Sequence, residues 1–135
     1  MDKVLNKISA SLVNPQKDSI KEIVQLLIEA EVNLHILHLQ SKNKSGWEHT
    51  ALGDLYEALP DMLDDLVEKS YVKIGTITNY KSITIKEENP LSYVKSLMTS
   101  IETSRMGITT GYIQQMIDNI LEKIAHTIYK LENVK

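Results

Sequence analysis

Leucine and isoleucine recur every three or four residues through four segments of this 135-residue chain, and that period limits its fold more than any other feature. An α-helix turns once in 3.6 residues, so this spacing gathers apolar side chains on a stripe that must be buried against a neighbour. Ile20, Val24, Leu27, Leu34 and His38 mark a first helix expected over 19–41, with Asp18 as its N-cap. Leu52, Leu55, Leu59, Leu63, Leu66 and Val67 mark a second over 47–72. Pro60 lies inside it, but the apolar period continues beyond, so a kink near 56–60 is expected and not a stop. Val94, Leu97, Met98 and Ile101 mark a third over 90–104, with Pro90 in its first turn. Ile113, Met116, Ile117, Ile120, Leu121, Ile124, Ile128 and Leu131 mark a fourth over 110–132. A short leading helix over 2–12 is expected before Asn14-Pro15, which reads as a break.

The connections set the topology. The polar loop 41–46 is short, so the second helix returns antiparallel to the first, and the turn at 105–110 does the same for the last two. Residues 73–89 differ: Ile74, Ile77 and Ser82-Ile83-Thr84-Ile85 have β-type chemistry and suit an extended crossover. The expected fold is all-α, one domain over 1–135: a ferritin-like four-helix bundle with a long crossover between its second and third helices. The lone Trp47 is expected to pack at the start of the second helix.

Composition removes several functions. With no cysteine there is no disulfide, thiolate metal site or thiol nucleophile, which fits a reducing, cytoplasmic setting. No basic-then-apolar segment opens the chain, and no run approaches the ~18 apolar residues of a membrane span. Fifteen basic against eighteen acidic residues give a net charge of −3, which argues against broad nucleic-acid binding.

The residues with metal-ligand chemistry are His38, His49, Asp64 and Glu68. The histidines bracket the loop at 41–46, and the carboxylates lie one turn apart on the second helix. Imidazole with carboxylate suits iron or zinc, with manganese as a third choice. His49 and Asp64 are fifteen positions apart, about 22 Å along a helix, so one chain does not bring all four to one ion. A two-fold axis crossing the second helix would bring the histidines of one copy to the carboxylates of another. No Glu-x-x-His occurs, which excludes the ordinary di-iron layout within a single bundle.

Three runs carry a family resemblance: Leu34-His35-Ile36-Leu37-His38-Leu39, Trp47 to Tyr56, and Asp64-Asp65-Leu66-Val67-Glu68-Lys69. Together they resemble the Dps-type miniferritins, which have a Leu-His-x-x-His-Trp segment, a histidine opening the next helix, and Asp-x-x-x-Glu fifteen residues later. The resemblance implies a two-fold dimer within a hollow twelve-subunit shell. It also implies oxidation of ferrous iron by hydrogen peroxide or oxygen, storage of the ferric product, and no organic cofactor. His38 and His49 would come from one subunit, and Asp64 and Glu68, the latter bridging two irons, from the other. Where the family has a further aspartate four residues after the histidine, this chain has Gly53. Asp54 is adjacent but about 100° around the helix, so the second metal position is expected to be weakened. Leu39 stands in place of the family's tryptophan, and the basic tail that binds DNA in some members is nearly absent, so DNA binding is not expected.

Blander readings stand beside these. Asp61, Asp64, Asp65 and Glu68 also make a solvated acidic face. His35 reads as a partner that orients His38 or pairs with Glu31, and less readily as a ligand. Tyr56 reads as packing with its hydroxyl at an edge, and His126 as surface. Asp118 and Glu122 read as an exposed face or as the lining of an acidic pore. The rival to an iron protein is a structural assembly protein of the same fold whose metal chemistry has been lost.

Overall fold

The computed structural model describes residues 14–41 and 46–133. The leading helix expected over 2–12 lies outside them. Four α-helices make up the fold: α1 (Pro15–Gln40), α2 (Gly46–Ile74), α3 (Pro90–Ser104) and α4 (Gly111–Asn133). A single 3-10 turn, Arg105–Gly107, follows α3. Among the described residues there is no β-strand.

The first helix begins earlier than its apolar stripe suggests. Asn14 is the N-cap, its Oδ1 accepting from the Lys17 N–H at 2.9 Å, and Pro15 occupies the first turn. Asn-Pro is therefore a start signal here: proline's fixed φ suits a helix, and its missing N–H would have had no helical partner. Asp18 sits in the first turn and not at the cap. The same device opens α3, where Asn89 Oδ1 accepts from the Ser92 N–H at 3.1 Å ahead of Pro90. Helix α2 continues through Pro60 to Ile74, because Leu59, Leu63 and Leu66 on either side of the proline are all buried.

The apolar stripes meet in one core. Ile20, Leu27 and Leu34 of α1, Leu52, Leu59 and Leu66 of α2, Ile101 of α3, and Ile113, Ile117 and Ile120 of α4 are fully enclosed. Around this core α1 packs on α2, α2 on α4, α4 on α3, and α3 on α1. Trp47 does not join it and is half exposed. It lies twelve residues before Leu59, and at 100° per residue that turns it away from the buried stripe.

One end of the bundle is tied by polar contacts. Gln16 Oε1 accepts from the N–H groups of Thr109 and Thr110 at 3.0 and 2.9 Å. Arg105 donates to Asp118 at 2.7 Å and to the Gln114 side chain at 2.7 Å, closing the turn between α3 and α4. Asp118 therefore has a clamp to hold. Gly107 lies against the start of α1, where a Cβ would come within 2.6 Å of the Pro15 carbonyl oxygen.

The crossover, residues 75–89, climbs the outer side of α1 to reach the start of α3. It is held by two side-chain amides. Gln25 accepts from the Lys81 N–H at 3.0 Å and donates to the Lys81 carbonyl at 3.1 Å. Asn33 donates to the Thr84 carbonyl at 2.9 Å and accepts from the Lys86 N–H at 2.7 Å. Each amide presents the donor and acceptor that a neighbouring strand would supply. Asn33 is 1% exposed, so losing the crossover would strip buried polar atoms of these two partners. Asn33→Ala should destabilise the fold by about 1–3 kcal/mol, read by urea unfolding, and should raise amide hydrogen exchange at Lys86.

Candidate metal centre

The end of α1 and the start of α2 are tied by a reciprocal exchange between two histidines. His38 Nδ1 lies 2.7 Å from the His49 carbonyl oxygen, and His49 Nδ1 lies 3.0 Å from the His38 carbonyl oxygen. A carbonyl only accepts, so each Nδ1 carries the proton and donates. A neutral ring held in this way has its lone pair on Nε2. Donation from Nδ1 to a carbonyl is the common support for a histidine that ligates a metal through Nε2. Ser41 Oγ donates to the same His38 carbonyl at 2.8 Å, so a carbonyl of the last turn of α1 is well satisfied.

The two imidazoles stack, with centroids 3.8 Å apart and planes 20° from parallel. A ligating lone pair lies in its ring plane, and these planes meet only well beyond coordination distance. The two rings as placed therefore do not direct their lone pairs at one common ion. The stack continues as an aromatic array: Tyr56 lies tilted 5.2 Å from His38, and His35 stacks on Tyr56 at 4.6 Å and 14°. His35 thus does neither thing expected of it. Among the described residues it hydrogen-bonds neither His38 nor Glu31, and it is exposed with its ring on Tyr56.

Gly53 has a physical reason. A Cβ there would come within 2.9 Å of His38 Cε1 and 3.1 Å of His38 Nδ1. The His38 ring reaches the His49 carbonyl through the space a side chain at 53 would fill. An aspartate at this position is incompatible with the ring as placed, so the glycine and the histidine exchange belong together. Asp54 does not take over a ligand's role. It faces α4, where Lys130 Nζ lies 3.4 Å from its carboxylate.

Asp64 and Glu68 are exposed on α2, away from the histidines of the same chain. Among the described residues no three His, Asp or Glu side chains gather as a metal-holding group. The carboxylates do have a neighbour that the sequence reading used only as a partner for His35. Burial pushes the Glu31 carboxyl above its usual range, and the negative charge of Asp64 adds to the effect. Glu31 and Asp64 therefore form a like-charged pair across α1 and α2 that a cation would relieve. The hairpin register was the available signal: setting His38 beside Gly53 and His35 beside Tyr56 brings Glu31 alongside the turn before Asp64.

These observations define a four-helix protein with an open polar face on its α1–α2 hairpin, imidazoles at one end and carboxylates farther along. The chain belongs to a family of unknown function, DUF5856, whose sequence model matches residues 38–131. No curated protein and no solved structure matches it.

Two outcomes follow. Alanine normally gains about 1 kcal/mol over glycine within a helix. Gly53→Ala should nevertheless lose about 1–2 kcal/mol, because displacing the His38 ring outweighs that gain. In a His38→Ala background the same substitution should become stabilising, and denaturant unfolding of the four proteins measures the change of sign. The second outcome concerns pH. A carboxyl whose folded value is raised costs stability when ionised, and the cost disappears as pH falls through that value towards the ordinary 4.5. Glu31→Gln should be more stable than the parent at neutral pH, and the difference should vanish in acid.

Proposed function

We propose that this protein is a miniferritin-like iron-binding protein, a divergent relative of the Dps type, whose metal site is completed between two copies of the chain. His38 and His49 of one copy face Asp64 and Glu68 of the other, and two-fold symmetry makes two such sites. The observation that carries this reading is the reciprocal exchange between His38 and His49. It holds two half-buried imidazoles by their Nδ1 atoms, and among the described residues neither Nε2 has a hydrogen-bond partner. The like-charged pair of Glu31 and Asp64 supports it, because a row of carboxylates kept close at a cost suits a cation.

Ferrous iron is the substrate in this reading. Two ferrous ions each give up one electron, and one hydrogen peroxide accepts both and leaves as two hydroxides. The carboxylates stabilise the ferric product, and the imidazoles position the ferrous ion. The protein assembles through the two-fold dimer into a larger shell of the twelve-subunit kind, which holds the ferric product. In this reading one imidazole supplies the tight iron position of each site, and a second position is weakened because no carboxylate stands at 53 and the His38 ring fills its space.

The same observation favours the rival reading, a structural assembly protein of this fold without ferroxidase activity. The stacked rings already have a structural task in closing the hairpin.

Anaerobic ferrous titration with mixed protomers separates them. His38→Ala/His49→Ala and Asp64→Asn/Glu68→Gln proteins should each lose tight iron. Mixing equal amounts and reassembling the two should restore about a quarter of it, because half of the dimers are then mixed and one of the two sites in each mixed dimer is intact. Negligible iron on the unaltered oligomer would establish the rival. Full iron retention by either double variant would overturn the intersubunit site.

A further inference from the structure

From Thr78 to Asn89 every residue of the crossover is exposed, while Ile77 before it and Pro90 after it are buried. No side chain of this stretch belongs to the buried core. None of its charged groups, Lys81, Lys86, Glu87 and Glu88, has an ion-pair partner among the described residues. Among those residues, the hydrogen bonds that tie 78–88 to the bundle are the two reciprocal amide pairs, Gln25 with Lys81 and Asn33 with Thr84 and Lys86. The stretch is entered through two left-handed residues, Gly75 at φ 71° and Asn79 at φ 63°, on either side of buried Ile77. Glycine and asparagine take up and leave that conformation at the least cost. The two amide clips also match in spacing. Gln25 and Asn33 are eight residues apart on a helix, about 12 Å. Lys81 and the middle of the Thr84–Lys86 pair are four residues apart in an extended chain, about 13 Å.

We infer that residues 78–89 form a strap that leaves α1 and returns to it as one piece, swinging between the buried Ile77 and Pro90. The two clips depend on one another through the chain between them. With Gln25 holding Lys81, the free stretch that Asn33 must close runs from 81 to 84. Without it, the stretch runs from Ile77 to 84, and the shorter loop favours closure about threefold. Linkage makes the effect reciprocal, so the Asn33 clip favours the Gln25 clip by the same factor. The Asn33 clip is the stronger of the two, because Asn33 is buried and the Gln25 bonds are exposed. Lys86 of the strap also closes one side of a polar cavity of about 30 Å3 between α1 and α3, lined by Glu29, Tyr93, Ser96 and Ser100. That volume has room for one water. Release bares the Asn33 amide and opens this cavity on its Lys86 side, so the strap is a gate on the α1–α3 seam. It makes no use of the α1–α2 face and stands apart from the iron reading.

Native-state hydrogen exchange on the full chain, read amide by amide by NMR, tests the strap. In the parent protein the Lys81 and Lys86 amides should exchange far faster than those of Leu27 and Leu34, which are fully enclosed on α1. Gln25→Ala removes only the exposed clip to Lys81, so the rates at Leu27 and Leu34 should stay as they are. The Lys86 amide, which Gln25 does not touch, should nevertheless exchange about threefold faster. Asn33→Ala should do the same to the Lys81 amide, beyond whatever rise it causes at Leu27 and Leu34. Unchanged exchange at Lys86 in Gln25→Ala would show two independent clips and overturn the strap. Lys81 and Lys86 amides as slow in the parent as those of Leu27 and Leu34 would also overturn it, because the segment would then come away only when the whole bundle unfolds.

Discussion

The exchange of hydrogen bonds between His38 and His49 fixes how α1 lies against α2, and most of what this protein offers its surroundings depends on that register. Each ring donates to the backbone of the helix that carries the other, so neither helix can slide without breaking both bonds. With the helices locked at this end, Tyr56 comes between His35 and His38, and Glu31 comes within the field of Asp64. Gly53 is the concession that makes the lock fit. A hairpin closed by alanine and serine would be as helical, but it would not present two oriented Nε2 atoms beside a row of acids.

The helices were largely legible because a buried stripe leaves a periodic trace. The third helix has the bounds its proline and apolar spacing give, and the fourth differs by one residue at each end. The departures share a cause: a residue type has two roles, and only its neighbours choose between them. Asn-Pro breaks a helix in one setting and opens one in another, and the Asn14 side chain reaching the Lys17 N–H decides for opening. Trp47 has the largest apolar surface in the chain, yet its angular position on α2 leaves it outside. Gly53 reads in sequence as a missing carboxylate. In the fold it is an occupied space, filled by a ring eleven residues before His49, and no pattern along a single helix reveals contact with another.

The candidate centre was legible as residue types and spacing, but not as geometry. Fifteen positions between His49 and Asp64 already separate imidazoles from acids along α2. The stacking of the two rings follows from the hydrogen bonds that hold them, and it keeps the two imidazoles from sharing one ion as the expected four-ligand set required. Asp54 and Lys130 show the same limit from the other side: one residue of rotation sends a carboxylate to α4. The acids carry a signature that spacing alone does not show: burial and the charge of Asp64 both raise the Glu31 carboxyl above its usual range.

The crossover and Asn33 explain one another. A polar amide 1% exposed in an otherwise apolar stretch of α1 would be costly without partners, and no helix packed there would offer free backbone groups to satisfy it. An extended chain does. Residues 76–85 are rich in threonine and isoleucine, which favour that conformation and lack the spacing of a helical stripe. Gln25 repeats the arrangement eight residues earlier on α1, a little over two turns, so both amides stand on the same side of the helix. The segment is thus held against α1 by two side chains that each supply one donor and one acceptor to its backbone.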